Sequence, residues 1–125
     1  MFDHLSLGVR DLGAARRFYD AFLAPLGAAL VSDGDLELGY GPRGREAQLF
    51  LFPVSGERVA GLGAHIAFTA DTRAAIDAAF GSAVALGASV VRPAGEHPDI
   101  AAGYYGCVLL DPDGNKLEIV AGTMH

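Results

Sequence analysis

The chain contains an internal repeat, and this repeat limits the possible folds more than any other feature of the sequence. Residues 2–7 read Phe-Asp-His-Leu-Ser-Leu and residues 63–68 read Gly-Ala-His-Ile-Ala-Phe, which sets a period near 61 residues. The histidines, His4 and His65, stand 23 and 22 residues before Gly27 and Gly87. Each half also follows the order strand, helix, strand, strand, strand. The sequence therefore predicts one α+β domain, residues 1–125, of two βαβββ modules, about 1–54 and 63–121, that form a mixed, cup-shaped sheet.

The elements of each module follow from hydrophobic periodicity and from residues that start or end a helix. The first helix is predicted from Leu12, with Asp11 as its cap, to a stop at Pro25 and Gly27. The second helix is predicted from a cap at residue 71 or 72 to about residue 86. Alternating apolar residues predict strands over 2–9, 28–32, 36–40, 47–52, 64–70, 88–92, 104–110 and 116–120, with a glycine-rich connector over 54–63.

The last two predicted strands flank Asp-Pro-Asp-Gly-Asn, residues 111–115, a run of turn-forming residues that predicts a β-hairpin. In the second of these strands Leu117 and Ile119 share one face, so Glu118 lies on the other. An unpaired buried carboxylate is costly, so Glu118 either faces solvent or faces a cation. The strand by itself leaves both explanations open.

His4 and His65 occupy equivalent positions in the first strand of each module. A single histidine in a strand is more often a structural residue than a metal ligand. Two histidines at equivalent positions, with Glu118 on a neighbouring strand, predict a facial set of two imidazoles and one carboxylate. Such a set suits a divalent Zn, Ni, Fe, Mn or Co ion, with open positions for two substrate oxygens.

These three residues, together with the Phe18-Tyr19 helix and the Asp-Pro-Asp-Gly-Asn-Lys-Leu-Glu hairpin, resemble the vicinal oxygen chelate superfamily. This superfamily includes glyoxalase I, bleomycin-resistance proteins and extradiol dioxygenases. The resemblance implies paired βαβββ modules with a metal or a bound ligand in the cup. Carried over to this chain, it implies that His4, His65 and Glu118 bind the metal and that Glu118 also takes part in catalysis.

The remaining candidate residues are predicted to contact the substrate. Glyoxalase I carries a carboxylate on the fourth strand, where this chain has Gln48, which can coordinate an ion but cannot take up a proton. Phe50 on the same strand is a further candidate, and Phe50 and Phe52 would form an apolar floor of the cup if the protein binds its ligand without a metal. The loop before the closing hairpin adds His97, Tyr104 and Tyr105, whose polar tips sit on aromatic rings. The alternative for this loop is a surface segment with two tyrosines that only pack.

Composition restricts the partners and the compartment. A formal net charge of -6 argues against nucleic acids and anionic membranes as partners. One cysteine, Cys107, cannot form an internal disulfide, which fits a reducing cytoplasm. We expect no signal peptide and no membrane span. Chains of this length in the superfamily it resembles suggest a homodimer, which would also cover exposed strand edges.

Two functions from different classes follow from these observations. The first is a glyoxalase-like, metal-dependent enzyme of the lyase, isomerase or dioxygenase type, which binds a small oxygenated molecule by bidentate chelation. The second is a metal-free protein that binds a small molecule or a drug, as bleomycin-resistance proteins do. The histidine and carboxylate set favours the first. A structural dimer that retains the three residues without using them is a further alternative.

Overall fold

The computed structural model describes residues 1–56 and 63–121, so residues 57–62 of the predicted connector lie outside the described residues. The first module contains β1 (Leu5–Val9), α1 (Leu12–Leu23), a short 3-10 helix (Ala24–Leu26), β2 (Ala28–Asp33), β3 (Leu38–Pro42) and β4 (Leu49–Pro53). The second contains β5 (Ile66–Ala70), α2 (Arg73–Ala85), β6 (Ser89–Glu96), β7 (Tyr105–Leu110) and β8 (Lys116–Ala121). Strand β6 runs into the segment that the sequence predicted as irregular loop.

The helices begin and end where their capping residues predict. Asp11 accepts a hydrogen bond from the backbone N–H of Ala14, and Thr72 accepts one from Ala75, so each caps the first turn of its helix. Gly27 follows the short 3-10 helix with φ of 80°, a conformation that glycine adopts without steric cost. No helix within residues 1–56 and 63–121 is long and apolar enough to cross a membrane.

Each module forms its own four-stranded mixed sheet. The strand order is β1-β4-β3-β2 in sheet A and β5-β8-β7-β6 in sheet B, and in both the first strand runs parallel to the fourth. The predicted α+β architecture of two βαβββ modules is confirmed, with one difference. The eight strands of the described residues form two separate sheets, because β1 and β5 both lie at sheet edges and do not pair with each other.

Both sheets direct one face to a single hydrophobic core that also includes α1 and α2. Leu49 and Leu51 contribute from sheet A and Leu117 and Ile119 from sheet B, each 6% exposed or less. Phe22 of α1 contacts Phe68 of β5, with ring centroids 5.8 Å apart, so the core is continuous between the modules. The opposite face of each sheet is therefore turned away from the core.

Candidate metal and substrate site

His65 and Glu118 meet on the face of sheet B that points away from the core. His65 immediately precedes β5, which runs parallel to β8, and Glu118 lies between two buried core residues of β8. The imidazole Nε2 of His65 and the carboxylate Oε2 of Glu118 are 3.2 Å apart. Only 13% of the Glu118 side chain is exposed, so this carboxylate does not simply face solvent.

The contact made by Nδ1 of His65 determines whether Nε2 donates or accepts a hydrogen bond. Nδ1 lies 2.8 Å from the carbonyl oxygen of Gly63. Because a carbonyl only accepts, Nδ1 carries the proton, and Nε2 of a neutral ring is then an acceptor. An ionised Glu118 is also an acceptor, so the two facing atoms require a positive species between them, either a proton or a metal ion.

Tyr104 binds the other oxygen of the same carboxylate. Its hydroxyl donates a hydrogen bond of 2.8 Å to Oε1 of Glu118, and the residue is only 5% exposed. Burial, followed by the hydrogen bond and the negative charge of Glu118, raises the pKa of the Tyr104 phenol. The phenol therefore stays protonated and acts as a donor.

His97 supports the loop that carries Tyr104. The His97 backbone N–H donates to the Tyr104 carbonyl, and the two rings lie 5.9 Å apart between centroids. The His97 Nε2 lies 2.7 Å from the carbonyl oxygen of Pro93. The described ring contacts of His97 are thus with Pro93 of β6 and with Tyr104.

His4 lies on sheet A, next to the start of β1. Its Nδ1 is 2.5 Å from the Asp3 carboxylate. Its ring makes a T-shaped contact with the ring of Phe50, with centroids 5.5 Å apart. Half of the His4 side chain is exposed. A proton on Nδ1 directed at Asp3 leaves Nε2 as the acceptor, the same arrangement that His65 has in the second module.

The structure does not bring His4 to His65 and Glu118 within one chain. Among residues 1–56 and 63–121, no group of three His, Cys, Asp or Glu side chains could hold a metal ion. The physical reason is that the two sheets share one core. Their outer faces, which carry His4 in one module and Glu118 in the other, belong to different sheets that do not pair.

Gln48 and Phe50 lie on the outer face of sheet A, beside His4. Gln48 is exposed and lines an open cleft of about 970 Å³, together with Ser32 and Arg45. Phe50 is partly buried and pairs in register with Ser6 of β1. The outer face of sheet A therefore carries polar and aromatic groups, whereas the Glu118 carboxylate lies on sheet B.

Tyr105 lies on the opposite face of β7 from Tyr104. Its hydroxyl donates to Asp77 of α2 at 2.7 Å, and the Arg73 guanidinium lies 4.6 Å from its ring centroid. Adjacent residues in a strand point to opposite faces, so only one of the two tyrosines can meet Glu118. The substrate contact predicted for Tyr105 stays a prediction.

Gly106 is part of the site, and the sequence analysis did not identify it. A Cβ atom at Gly106 would lie 2.6 Å from the Tyr104 hydroxyl oxygen and 2.4 Å from the Ile119 carbonyl oxygen. Only glycine leaves room for the phenol to cross β7 and reach Glu118 on β8. The signal in the sequence was a glycine two residues after an aromatic residue, inside a predicted strand.

Comparison with known proteins identifies the same architecture. The sequence model of the Glyoxalase/Bleomycin resistance protein/Dioxygenase superfamily matches residues 1–119. Comparison with curated proteins gives no significant match.

Solved structures agree with the family match. A glyoxalase/bleomycin resistance protein from Albidiferax ferrireducens T118 is 27% identical over 98% of this chain and 99% of that chain, with a TM-score of 0.80. The fosfomycin resistance protein FosX from Mesorhizobium loti is 22% identical over 99% of this chain and 93% of that chain, with a TM-score of 0.71. A glyoxalase-related enzyme from Fulvimarina pelagi is 22% identical over 95% of this chain and 86% of that chain, and its TM-score is also 0.71. At 22% identity, the FosX protein and the Fulvimarina pelagi enzyme show a likeness in fold alone.

Proposed function

Because the chain belongs to the Glyoxalase/Bleomycin resistance protein/Dioxygenase superfamily, we propose that it is a metal-dependent enzyme of the lyase, isomerase or dioxygenase type. Its substrate is a small oxygenated molecule that presents two neighbouring oxygens to the ion. A bound divalent ion supplies the Lewis acidity that stabilises negative charge on those oxygens. The observation that carries the proposal is the approach of two acceptor atoms, His65 Nε2 and Glu118 Oε2, to 3.2 Å.

The donor set fits a divalent ion of the Zn, Ni, Fe, Mn or Co group. Each histidine directs Nδ1 at an oxygen, His4 at Asp3 and His65 at Gly63, so that Nε2 is the atom left to coordinate. Glu118 contributes one carboxylate oxygen to this set. Imidazole nitrogen with carboxylate oxygen is the ligand combination that these ions prefer.

The third ligand, His4, comes from a second copy of the chain. Strands β1 and β5 are edge strands, and an unpaired edge is a template for pairing with another chain. Pairing β1 of one copy beside β5 of the other follows the symmetry of the repeat and would bring His4 to His65 and Glu118. Proteins of this superfamily often form dimers, which agrees with a homodimer here.

This arrangement also builds the cup from two sheets. Gln48 and Phe50 on sheet A of one copy would face Glu118 and Tyr104 on sheet B of the other, with His97 supporting the wall. The substrate-binding roles predicted for Gln48 and Phe50 are thus part of the same proposal. A cytoplasmic location agrees with the single cysteine, which is buried.

The test is metal binding by chelator-treated protein, measured by calorimetry with Zn²⁺ and Co²⁺. Losing a direct ligand costs more than the roughly 10–100-fold that an outer-shell partner contributes. We therefore expect Glu118→Gln, His65→Gln and His4→Gln each to lower the affinity more than about 100-fold.

His97→Gln is the matched control, because the described ring contacts of His97 are with Pro93 and Tyr104, and none is with His65 or Glu118. It should bind both ions with nearly the affinity of the wild type. Equal affinity of the wild type and Glu118→Gln would end the proposal.

A metal-free binding protein is the second candidate, and one observation favours it. Phe52, 37% exposed, lies two residues along β4 from Phe50 on the outer face of sheet A, where it lines a cavity of about 420 Å³ together with Ser6 and Val54. In this case an apolar fluorescent probe would bind the chelated protein, and Phe52→Ser would weaken the binding while Glu118→Gln would not. The metal-dependent enzyme predicts no such pattern.

A further inference from the structure

The two oxygens of Glu118 have different partners, and this difference gives Tyr104 a role. Oε1 accepts the Tyr104 hydroxyl at 2.8 Å, and Oε2 faces His65 Nε2 at 3.2 Å. A glutamate side chain has three rotatable bonds, so an unsupported carboxylate would sample many positions. With Oε1 held, the direction of Oε2 is fixed.

Tyr104 is itself held in place from several directions. Its backbone N–H donates to the Ala101 carbonyl at 3.1 Å, and its carbonyl accepts from the His97 N–H at 3.2 Å. The ring lies over Gly106, where any side chain would displace the hydroxyl. A buried residue with both backbone groups bonded can transmit its position to the group that it touches.

We propose that Tyr104 is a positioning residue that fixes the rotamer of Glu118 and presents Oε2 to His65. The benefit of this positioning rests on the proposed metal-binding function, because a carboxylate already held in place lowers the entropic cost of binding an ion. It does not make Tyr104 a ligand. The hydroxyl donates a hydrogen bond to Oε1 and leaves Oε2 for the ion.

The experiment uses Tyr104→Phe, which removes the hydroxyl and keeps the ring. Tyr105→Phe is the matched control, because it removes the hydroxyl of the adjacent residue, which bonds to Asp77 on the other face of the sheet. Crystal structures of the chelated proteins report the Glu118 rotamer. Titration with Co²⁺ reports the affinity and, through the visible absorption bands, the coordination of the ion. Urea unfolding measures any general loss of stability.

In the wild type and in Tyr105→Phe, we expect one Glu118 rotamer, with Oε2 toward His65. In Tyr104→Phe, we expect several rotamers, a Co²⁺ affinity lower by about 10–100-fold, and altered Co²⁺ absorption bands. A residue that only stabilises the fold would change urea unfolding and leave the rotamer and the bands unchanged.

The outcomes separate the two proposals. A single unchanged Glu118 rotamer in Tyr104→Phe would overturn the positioning role, whether or not Co²⁺ binds. Disordered Glu118 in that variant, with no Co²⁺ bound by the wild type, would retain the positioning role and reject the metal-dependent function. Disordered Glu118 with weakened Co²⁺ binding supports both.

Discussion

Tyr19 of α1 donates a 2.6 Å hydrogen bond to Asp111, a residue of the other module and 92 positions away in the chain. Both side chains are buried, at 1% and 3% exposure. Asp111 also accepts hydrogen bonds from the backbone N–H groups of Asp113 and Asn115, so one carboxylate shapes the final hairpin turn and ties it to the first module. The Asn115 amide extends this link to the Gly8 carbonyl at 3.0 Å.

Replacing Tyr19 by Phe should lower the free energy of unfolding by about 1.5–3 kcal/mol, the usual contribution of a hydrogen bond to a charged group. The reason is that Asp111 stays buried with one donor fewer. Tyr105→Phe removes a hydroxyl from the surface pair with Asp77 and should change stability little. Urea unfolding of both variants measures the difference, and equal midpoints would show that the link between modules adds nothing.

Stability should decline in alkaline solution. Burial, followed by the charge of Asp111, raises the pKa of Tyr19 well above the ordinary tyrosine value, and burial raises the pKa of Cys107 to about 11. Above the ordinary pKa of each group the unfolded chain releases its proton first, so stability present at neutral pH is lost as pH rises.

Urea unfolding between pH 8 and pH 11 gives the slope of this decline, in a window set by these pKa values. Cys107→Ala should be less stable at pH 8 and yet decline less steeply toward pH 11. Tyr19→Phe should decline less steeply above pH 10, where the ordinary phenol ionises. Identical slopes in all three proteins would contradict the prediction.

Two glycine-to-alanine changes should act in opposite directions. Gly106→Ala introduces a Cβ 2.4 Å from the Ile119 carbonyl oxygen and should destabilise the fold by about 1–3 kcal/mol through overpacking. Gly81→Ala, in the interior of α2 with nothing within 4 Å of the added Cβ, should stabilise it by about 0.5–1 kcal/mol. Thermal unfolding measures whether each variant is more or less stable than the wild type. A Gly106→Ala variant as stable as the wild type would show that β7 can move to admit a side chain.

Mixing two variants that are each expected to bind metal poorly tests whether the metal site is shared between chains. His4→Gln and Glu118→Gln each damage both sites of a homodimer. In a mixed dimer, one site takes His4 from one chain and an intact His65 and Glu118 from the other. Random exchange of equal amounts should restore about one quarter of the wild-type Co²⁺ capacity.

The control for this experiment is a mixture of His65→Gln and Glu118→Gln. These two residues come from the same chain, 3.2 Å apart, so no mixed dimer contains an intact site. Restored capacity in the control, or none in the first mixture, would reject a site shared in this way.

The sequence by itself determined the order of elements in both modules, because the signals for it are local. Asp11 and Thr72 cap helices within a few residues of themselves, Gly27 supplies a left-handed turn, and the Asp111 turn closes on Asn115. Alternation also separates Glu118 from the core residues on either side of it. Such signals do not depend on what packs elsewhere, and they fixed the two βαβββ modules and the superfamily.

Only the tertiary structure decided which candidates meet. Alternation assigns Tyr104 and Tyr105 to opposite faces, but the packing of α2 on one of those faces directs Tyr105 to Asp77 and leaves Tyr104 for Glu118. In the same way, the sequence places His4 and His65 at equivalent positions without saying whether their strands pair. The two sheets pack on one shared core, so β1 and β5 remain separate edges and His4 lies apart from Glu118 within the chain. Contacts between distant segments depend on which faces the whole core buries, and no local pattern contains that information.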